Sequence, residues 1–439
     1  MGLRVSNFQG EHIVKQCLFV CSLVLLGWSS ADAATVTAAN CEAASVSTAA
    51  NAAANGDTVI IPAGSCTWSS TVSINKGVTL QGQGVGVTVI LDAVTSGPLM
   101  WLNLVANQTS RVTGIEFRRA GGFHEGTTGI ISVIGSSDDS RRLRIDHCYF
   151  NDLSGVAIVS SNALGVIDHN TYVGTPTSRF VNVWNHTWGN ASWGDGSYVA
   201  PTGFGTEKFL FIEDNNITYL GSSNYAFIDG FAGARYVVRY NTITRGWVEA
   251  HGTDSGGRYR GTRAVEVYNN TFIGNDQNAY IVNMRSAAVL VHNNTASGYM
   301  SNPRFELANY RANQSFQPWG MANGSNPWDK NVGGQVVTAL DQPCVSGGSR
   351  ISGDTPVLPW TAGSNDQVVD ACYEWNNTED GLPVHFEAGH ANIKPGIHFF
   401  NGTPKPGYVP FTYPHPLTTG SSGGSGPLAP ANLRILSSE

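Results

Sequence analysis

The sequence predicts an all-β solenoid in which short coils stack on one another, and three observations point there. The composition is rich in glycine and poor in charge, with 51 glycines, 10% aromatic residues and only 13% charged residues. A short motif recurs as "RIDHCYF" (144–150), "VIDHNTY" (166–172), "IEDNNIT" (212–218), "VRYNTIT" (238–244), "VYNNTF" (267–272) and "VHNNTA" (291–296). Its shared column, Cys148, Asn170, Asn215, Asn241, Asn270 and Asn294, is spaced by 22, 45, 26, 29 and 24 residues, the long interval holding one loop insertion. Each unit carries three β-like runs whose alternation gathers apolar residues on one face. A single unit has no core of its own, whereas stacked units share one.

Taken in order, residues 1–33 read as a secretory signal. Arg4 and Lys15 precede the apolar "CLFVCSLVLLGW" (17–28), and Ala31-Asp32-Ala33 fits a small-x-small cleavage site. That run is too short to span a bilayer and no later stretch approaches one, so no membrane span and a secreted, extracellular or periplasmic location are expected. Residues 34–56, with the alanine-rich "ASVSTAANAAANG" (44–56), form an expected helical cap. The repeat occupies 57–300. Asparagine at one turn suits a left-handed backbone there, with side-chain amides bonding from coil to coil. Phe150, Tyr172, Ile217, Ile243 and Phe272 are expected to stack inward. From 301 to 417 the period is lost, and extended loops are expected to fold back over the solenoid. Residues 418–439, opening "TTGSSGGSGPLAP", read as a flexible linker and tail. Cys41 with Cys66 and Cys344 with Cys372 flank two segments and are expected to form disulfides, leaving Cys148 a buried thiol. A net charge of −7 without basic tracts argues against a nucleic-acid partner.

Together with "GDTVIIPAGSCTW" (56–68) and "GVTLQGQG" (77–84), these segments resemble the right-handed parallel β-helix proteins, the superfold of pectate and pectin lyases. "NGTPKPGYVPFTYPHPL" (401–417) is similar to a segment that ends certain secreted bacterial β-helix proteins. The resemblance implies a right-handed single-stranded parallel β-helix of about 22–29-residue coils, an N-terminal helical cap and a loop-rich C-terminal region. It also implies a polysaccharide partner; the oligomeric state is left open. "RIDHC" (144–148) is similar to the WIDH motif of family-one pectate lyases at Asp146 and His147. Arg144 stands where that family has Trp, and its Arg-x-Pro-x-x-Arg motif is missing.

The chemistry concentrates in "EAHGTDSGGRYRGT" (249–262), an acid, a histidine, a second acid and arginines among glycines. Aligning "NYAFIDG" (224–230) with "GWVEAHG" (246–252) by their final glycines puts Asp229 beneath His251 and Phe227 beneath Glu249. The next unit, "AYIVNMRS" (279–286), brings Asn283 or Arg285 alongside. Two long loops, 185–207 and 252–262, would wall a cleft. Aromatic rings stack on sugar faces and arginines pair with carboxylates, so an acidic sugar chain suits this cleft. The expected substrate contacts are Trp184, Trp188, Trp193, Tyr198, Asp254, Tyr259, Arg260 and Arg285. The expected catalytic set is His251 as base, Asp229 as its orienting group, Glu249, and Arg258 or Arg263 to hold the substrate carboxylate. The alternative is that the arginines brace the loop against Glu249, Asp254 and Glu266.

The leading expectation is a lyase acting on a uronate-containing polysaccharide by β-elimination. Hydrolysis by Asp229 with Glu249 or Asp254 is second, and a non-catalytic carbohydrate-binding or adhesion protein is third. Two residues before the Asn turn stand Asp146, Asp168, Glu213, Arg239, Tyr268 and His292. The three consecutive carboxylates suit calcium, or else a solvated stripe in which Arg239 answers Glu213.

Overall fold

In the computed structural model the described residues are 33–124, 126–135, 142–151, 153–175, 177–185, 194–221, 224–255, 259–277, 280–299, 304–323, 329–332, 335–347, 351–352, 355–356 and 367–419. The expected signal lies outside them except for its last residue, and so does the expected tail apart from its first two residues.

Alternation along each run buries one face, and stacking removes the edges that a lone run would leave. Among the described residues this produces three long sheets of twelve, ten and eleven strands. Every pairing within them is parallel except one hairpin-like pair, Thr378–Glu379 with Leu382–Pro383. Each coil gives one strand to each sheet, so the right-handed parallel β-helix implied by the sequence is the fold. The expected inward stack is in register, Phe150 beside Tyr172, Ile217, Ile243 and Phe272 in turn, and all five are buried. Phe117 extends it, stacked on Phe150 at 5.2 Å.

The asparagine ladder is continuous. The amides of Cys148, Asn170, Asn215, Asn241 and Asn270 each donate to the next asparagine's Oδ1 at 2.9–3.0 Å. The left-handed residue is the one before each asparagine: His147, His169, Asp214, Tyr240, Asn269 and Asn293 have φ between 51° and 56°. This corrects the expected placement by one position. The asparagine itself must aim its amide along the solenoid axis, so the preceding residue makes the turn.

The α-helix Ala43–Ala52 buries Val46, Ala49 and Ala50 at the N-terminal end, where the strand Thr35–Thr37 pairs with Thr58–Ile60. The Cys41–Cys66 and Cys344–Cys372 disulfides are both present, and Cys148 is a buried free thiol. The solenoid does not stop at 300. Phe305–Leu307 and Phe386–Ala388 add to the ten-stranded sheet, and Cys372–Trp375 and Phe399–Phe400 to the twelve-stranded one. Asn377 continues the asparagine ladder from Asn294 at 3.1 Å, 83 residues away in sequence. That insertion concealed the period.

Residues 401–417 lie along the outer face of the twelve-stranded sheet as a strap. The Gly402 amide donates to Glu374 at 2.8 Å, Tyr408 donates to Glu266, and Arg239 donates to the carbonyls of Phe411 and Thr412 at 2.8 and 2.9 Å. The His415 amide donates to Glu213 at 2.8 Å, and Arg144 donates to the carbonyl of Leu417 at 3.1 Å.

Candidate active site

The strand Gly246–Ala250 turns Val248 and Ala250 into the core and leaves Trp247 and Glu249 half-buried on the outer face. Its neighbour Tyr225–Phe231 carries a bulge: Ala226 pairs with Trp247 but Ile228 pairs with Val248, so Phe227 is the extra residue. Continuing that register sets Asp229 level with Glu249, and Phe231 level with His251. The alignment by final glycines was therefore two residues off at Asp229. On the other side Glu249 pairs with Asn283, which brings Arg285 level with His251.

The expected contact forms nonetheless, because Asp229 reaches diagonally. His251 Nδ1 lies 2.5 Å from Asp229 Oδ2, and the His251 ring stacks on Phe231 at 4.5 Å. Arg179 places Nη1 2.8 Å from Asp229 Oδ2 and Nη2 3.3 Å from Glu249 Oε2. Arg285 donates from Nη2 to Glu249 Oε1 at 2.8 Å and from Nη1 to Asp254 Oδ2 at 2.7 Å. Arg285 Nη2 also lies 2.5 Å from His251 Nε2. A guanidinium only donates, so Nε2 is the accepting nitrogen and Nδ1 carries the proton given to Asp229.

Access and charge distinguish the roles. The side chains of His251, Arg179 and Arg285 are 15%, 14% and 10% exposed, whereas that of Asp229 is fully buried. Asp229 also accepts from the Gly230 amide at 2.8 Å. Burial alone would raise its pKa, but its interactions with His251 and the Arg179 guanidinium outweigh burial and hold it below the ordinary carboxylate range. Burial and the neighbouring Asp229 push Glu249 the other way, against Arg285. Among the described residues the Nε atoms of Arg179 and Arg285 are both buried without a partner.

Asp229, Glu249 and His251 place ligand atoms within 4.8 Å of one another, a set with the chemistry to hold a metal ion. Here the two guanidinium groups already stand where a cation would, and His251 uses both nitrogens. The arrangement fits arginine better than an added cation.

An apolar platform leads into this cluster. Trp184 stacks on Phe231 at 4.6 Å, and the ring of Tyr259, which is 37% exposed, meets Trp184 edge-on at 5.1 Å. Tyr310, on the far side, lies 5.5 Å from the Arg285 guanidinium. Asp254 is present as a partner of Arg285.

Other expected residues stand elsewhere. Arg263 is buried, pairs with Asp370 at 2.9 Å and bonds the Ala200 carbonyl, so it braces loops and cannot hold a substrate. Arg260 is equally buried, against Asp341 at 2.7 Å and over the Tyr198 ring. Tyr198 is itself buried and donates to the Thr262 carbonyl at 2.7 Å. Their partners are not the expected Glu249, Asp254 and Glu266. Arg258, Trp188 and Trp193 lie outside the described residues.

The calcium column is in the expected register, Asp146 beside Asp168, Glu213, Arg239, Tyr268 and His292. Its donor set does not fit calcium; Arg239 does answer Glu213 as the alternative had it, but the column is buried rather than solvated. Asp146 is held by Arg111 at 2.5 Å, Asp168 by Arg144 at 2.9 Å and Glu213 by Arg239 at 2.5 Å, and all three acids are buried. Arginines supply the positive charge an ion was expected to supply. Sequence reasoning missed Arg179, which opens "RFVNVW" on the strand that leads directly into the loop insertion. Register alone would not have found it, because the strand pairs Asn182 with Asp229 and Arg179 arrives only by the reach of its side chain.

No protein-family model matches the chain, and no curated protein matches it. Among solved structures it is similar to the PL6 family polysaccharide lyase Pedsa3628 from Pseudopedobacter saltans, at 14% identity and a TM-score of 0.42, over 84% of this chain and 82% of that one. A mutant of the PL6 family alginate lyase AlyGC matches at 16% identity and a TM-score of 0.36 over 61% of this chain, which spans 39% of that structure. The alginate lyase from Paenibacillus sp. str. FPU-7 matches at 13% identity and a TM-score of 0.32, over 62% of this chain and 96% of that one.

Proposed function

We propose that this protein is a polysaccharide lyase that cleaves a uronate-containing chain by β-elimination. One observation carries the reading: a histidine fixed at Nδ1 by a buried aspartate has Nε2 against Arg285, with Arg179 on the same aspartate, and both arginine Nε groups lack partners among the described residues. Elimination needs a base for the C5 proton, a counter-charge for the carboxylate that acidifies it, and a proton for the leaving oxygen. His251 Nε2 takes the C5 proton. The electrons of the C5–H bond become the C4–C5 double bond, and the C4–O bond breaks with its pair on oxygen. The imidazolium then gives its proton to that oxygen, so His251 ends as it began. Asp229 stays ionised and stabilises the imidazolium, while Arg179 and Arg285 hold the carboxylate. Trp184 and Tyr259 offer apolar ring surface of the kind on which sugars stack, while Phe231, sandwiched between Trp184 and His251, fixes the tilt of the imidazole.

Hydrolysis is weaker on this geometry. Asp229 is fully buried with both oxygens engaged, so it cannot attack a sugar, and Glu249 is held between two guanidinium groups. The two disulfides support work outside the cytoplasm. The test is incubation with pectate, alginate, glucuronan and chondroitin, reading ultraviolet absorbance and reducing ends together. Absorbance rising in step with ends on one of these polymers is expected. Ends without absorbance would mean hydrolysis, and binding without either would leave a carbohydrate-binding protein.

A further inference from the structure

The contact between Arg285 and His251 raises a problem for the reading above. The nitrogen that must act as base is already engaged, because Arg285 Nη2 stands 2.5 Å from His251 Nε2. Arg285 is anchored elsewhere by Asp254 through Nη1 and by Glu249 through Nη2, with Tyr310 over its face. Its Nε is buried without a partner, so one prong of the Nε/Nη2 fork is idle and the other is spent partly on an imidazole.

We infer that Arg285 is a clasp on the catalytic base, and that a free uronate carboxylate opens it by taking the Nε/Nη2 fork and releasing His251 Nε2. The inference rests on the lyase reading of the site and adds to it the order of events and the substrate class, a non-esterified uronate. A carboxylate offers a guanidinium a second charge and a bidentate fit, neither of which a neutral imidazole can give. A carboxylate therefore outcompetes a neutral imidazole for the same N–H and also satisfies the idle Nε. A neutral sugar or a uronate ester has no such advantage, and a ligand shifts an equilibrium only by its differential affinity for the two states. The anchors at Asp254 and Glu249 let the guanidinium tilt without leaving. The base thus becomes available only after the carboxylate that acidifies C5 is seated.

The test uses the full chain with 15N-labelled histidine, following the His251 Nε2 resonance during titration with galacturonate, which has no glycosidic bond at C4 to eliminate. Methyl galacturonate ester and galactose are the controls. Galacturonate is expected to shift Nε2 saturably toward the position of an unbonded acceptor, and neither control to do so. Arg285→Gln is expected to show that position without ligand and to respond to nothing, with the buried His124 and His292 resonances unchanged as the check on folding. Galacturonate binding that leaves Nε2 in place, an equal response to the ester, or no saturable response at all would each overturn the clasp. The lyase reading is scored separately. Elimination products with an unmoved Nε2 keep the lyase and remove the clasp, whereas a moved Nε2 with no elimination on any uronan does the reverse.

Discussion

Two polar columns run up the outside of this solenoid, and they have opposite fates. One, on the twelve-stranded sheet, stacks Asp146, Asp168, Glu213, Arg239, Tyr268 and His292. The other, on the ten-stranded sheet, runs from Asn182 to Asp229, then through Glu249, Asn283 and Glu306. Both place charge on neighbouring coils about 4.8 Å apart. In the first, every acid has its arginine and the strap supplies carbonyls to Arg144 and Arg239. In the second, among the described residues, the strap does not reach, two arginine Nε groups lack partners and the histidine side chain is 15% exposed. A ladder of charge on a β-helix is therefore not a site in itself. What covers the ladder decides whether its charges hold the fold or meet a ligand.

The contrast breaks most visibly at Arg239, which is fully buried. Arg239→Leu strips Glu213 of its partner and the strap of two hydrogen bonds. Such a loss of one member of a buried pair costs about 3–5 kcal/mol. Urea denaturation should show it, with elimination by the protein that remains folded unchanged. A cost below about 1 kcal/mol, the ordinary value for an exposed pair, would mean the column does not seat the strap.

The complementary change is Arg285→Lys, which keeps a charge but loses the fork. A lost hydrogen bond between charged partners corresponds to about a 10–100-fold rise in KM, with the unfolding midpoint nearly unmoved. An unchanged KM would remove Arg285 from the site.

Acid should release the strap before it unfolds the solenoid. Burial depresses His292 to about 3 and, with Arg239 adding to burial, His415 to about 4. A depressed histidine contributes stability that is whole above its unfolded value near 6.5 and declines as pH falls toward the folded value. Limited proteolysis between pH 6.5 and 4 should therefore cut near 401–417 progressively faster. Glu266 opposes part of this, one carboxyl against two histidines, since burial raises it to about 7 against bonds from Tyr408 and Gly205. Its contribution is whole below an unfolded value near 4.5 and is lost as pH rises through about 7. Cleavage that is flat across both windows would contradict this. The smallest effect expected is that of chelation: removing divalent ions should change neither the midpoint nor the elimination rate, because arginines already fill the covered column.

The covered column, the asparagine ladder and the inward aromatic stack were legible because each repeats one residue type at one offset, and stacking converts offset directly into contact. The Asp229–His251 contact was legible too, though at a register two residues off: the glycine alignment was one residue out already at Ala226, and the bulge at Phe227 adds one more that no spacing marks. Arg260 and Arg263 misled because their partners, Asp341 and Asp370, lie 81 and 107 residues away. An arginine beside glycines reads as free when its acid arrives from a distant loop. The last coil was hidden for the same reason, interrupted by a long insertion.

The most direct measurement is the rate of unsaturated-uronide formation by His251→Ala beside the unaltered protein, with both unfolding midpoints recorded. Loss of a general base corresponds to about a 10²–10⁴-fold fall in rate, and the account predicts that fall with an unchanged midpoint. A variant that eliminates as fast as the unaltered protein would place the chemistry elsewhere on the solenoid.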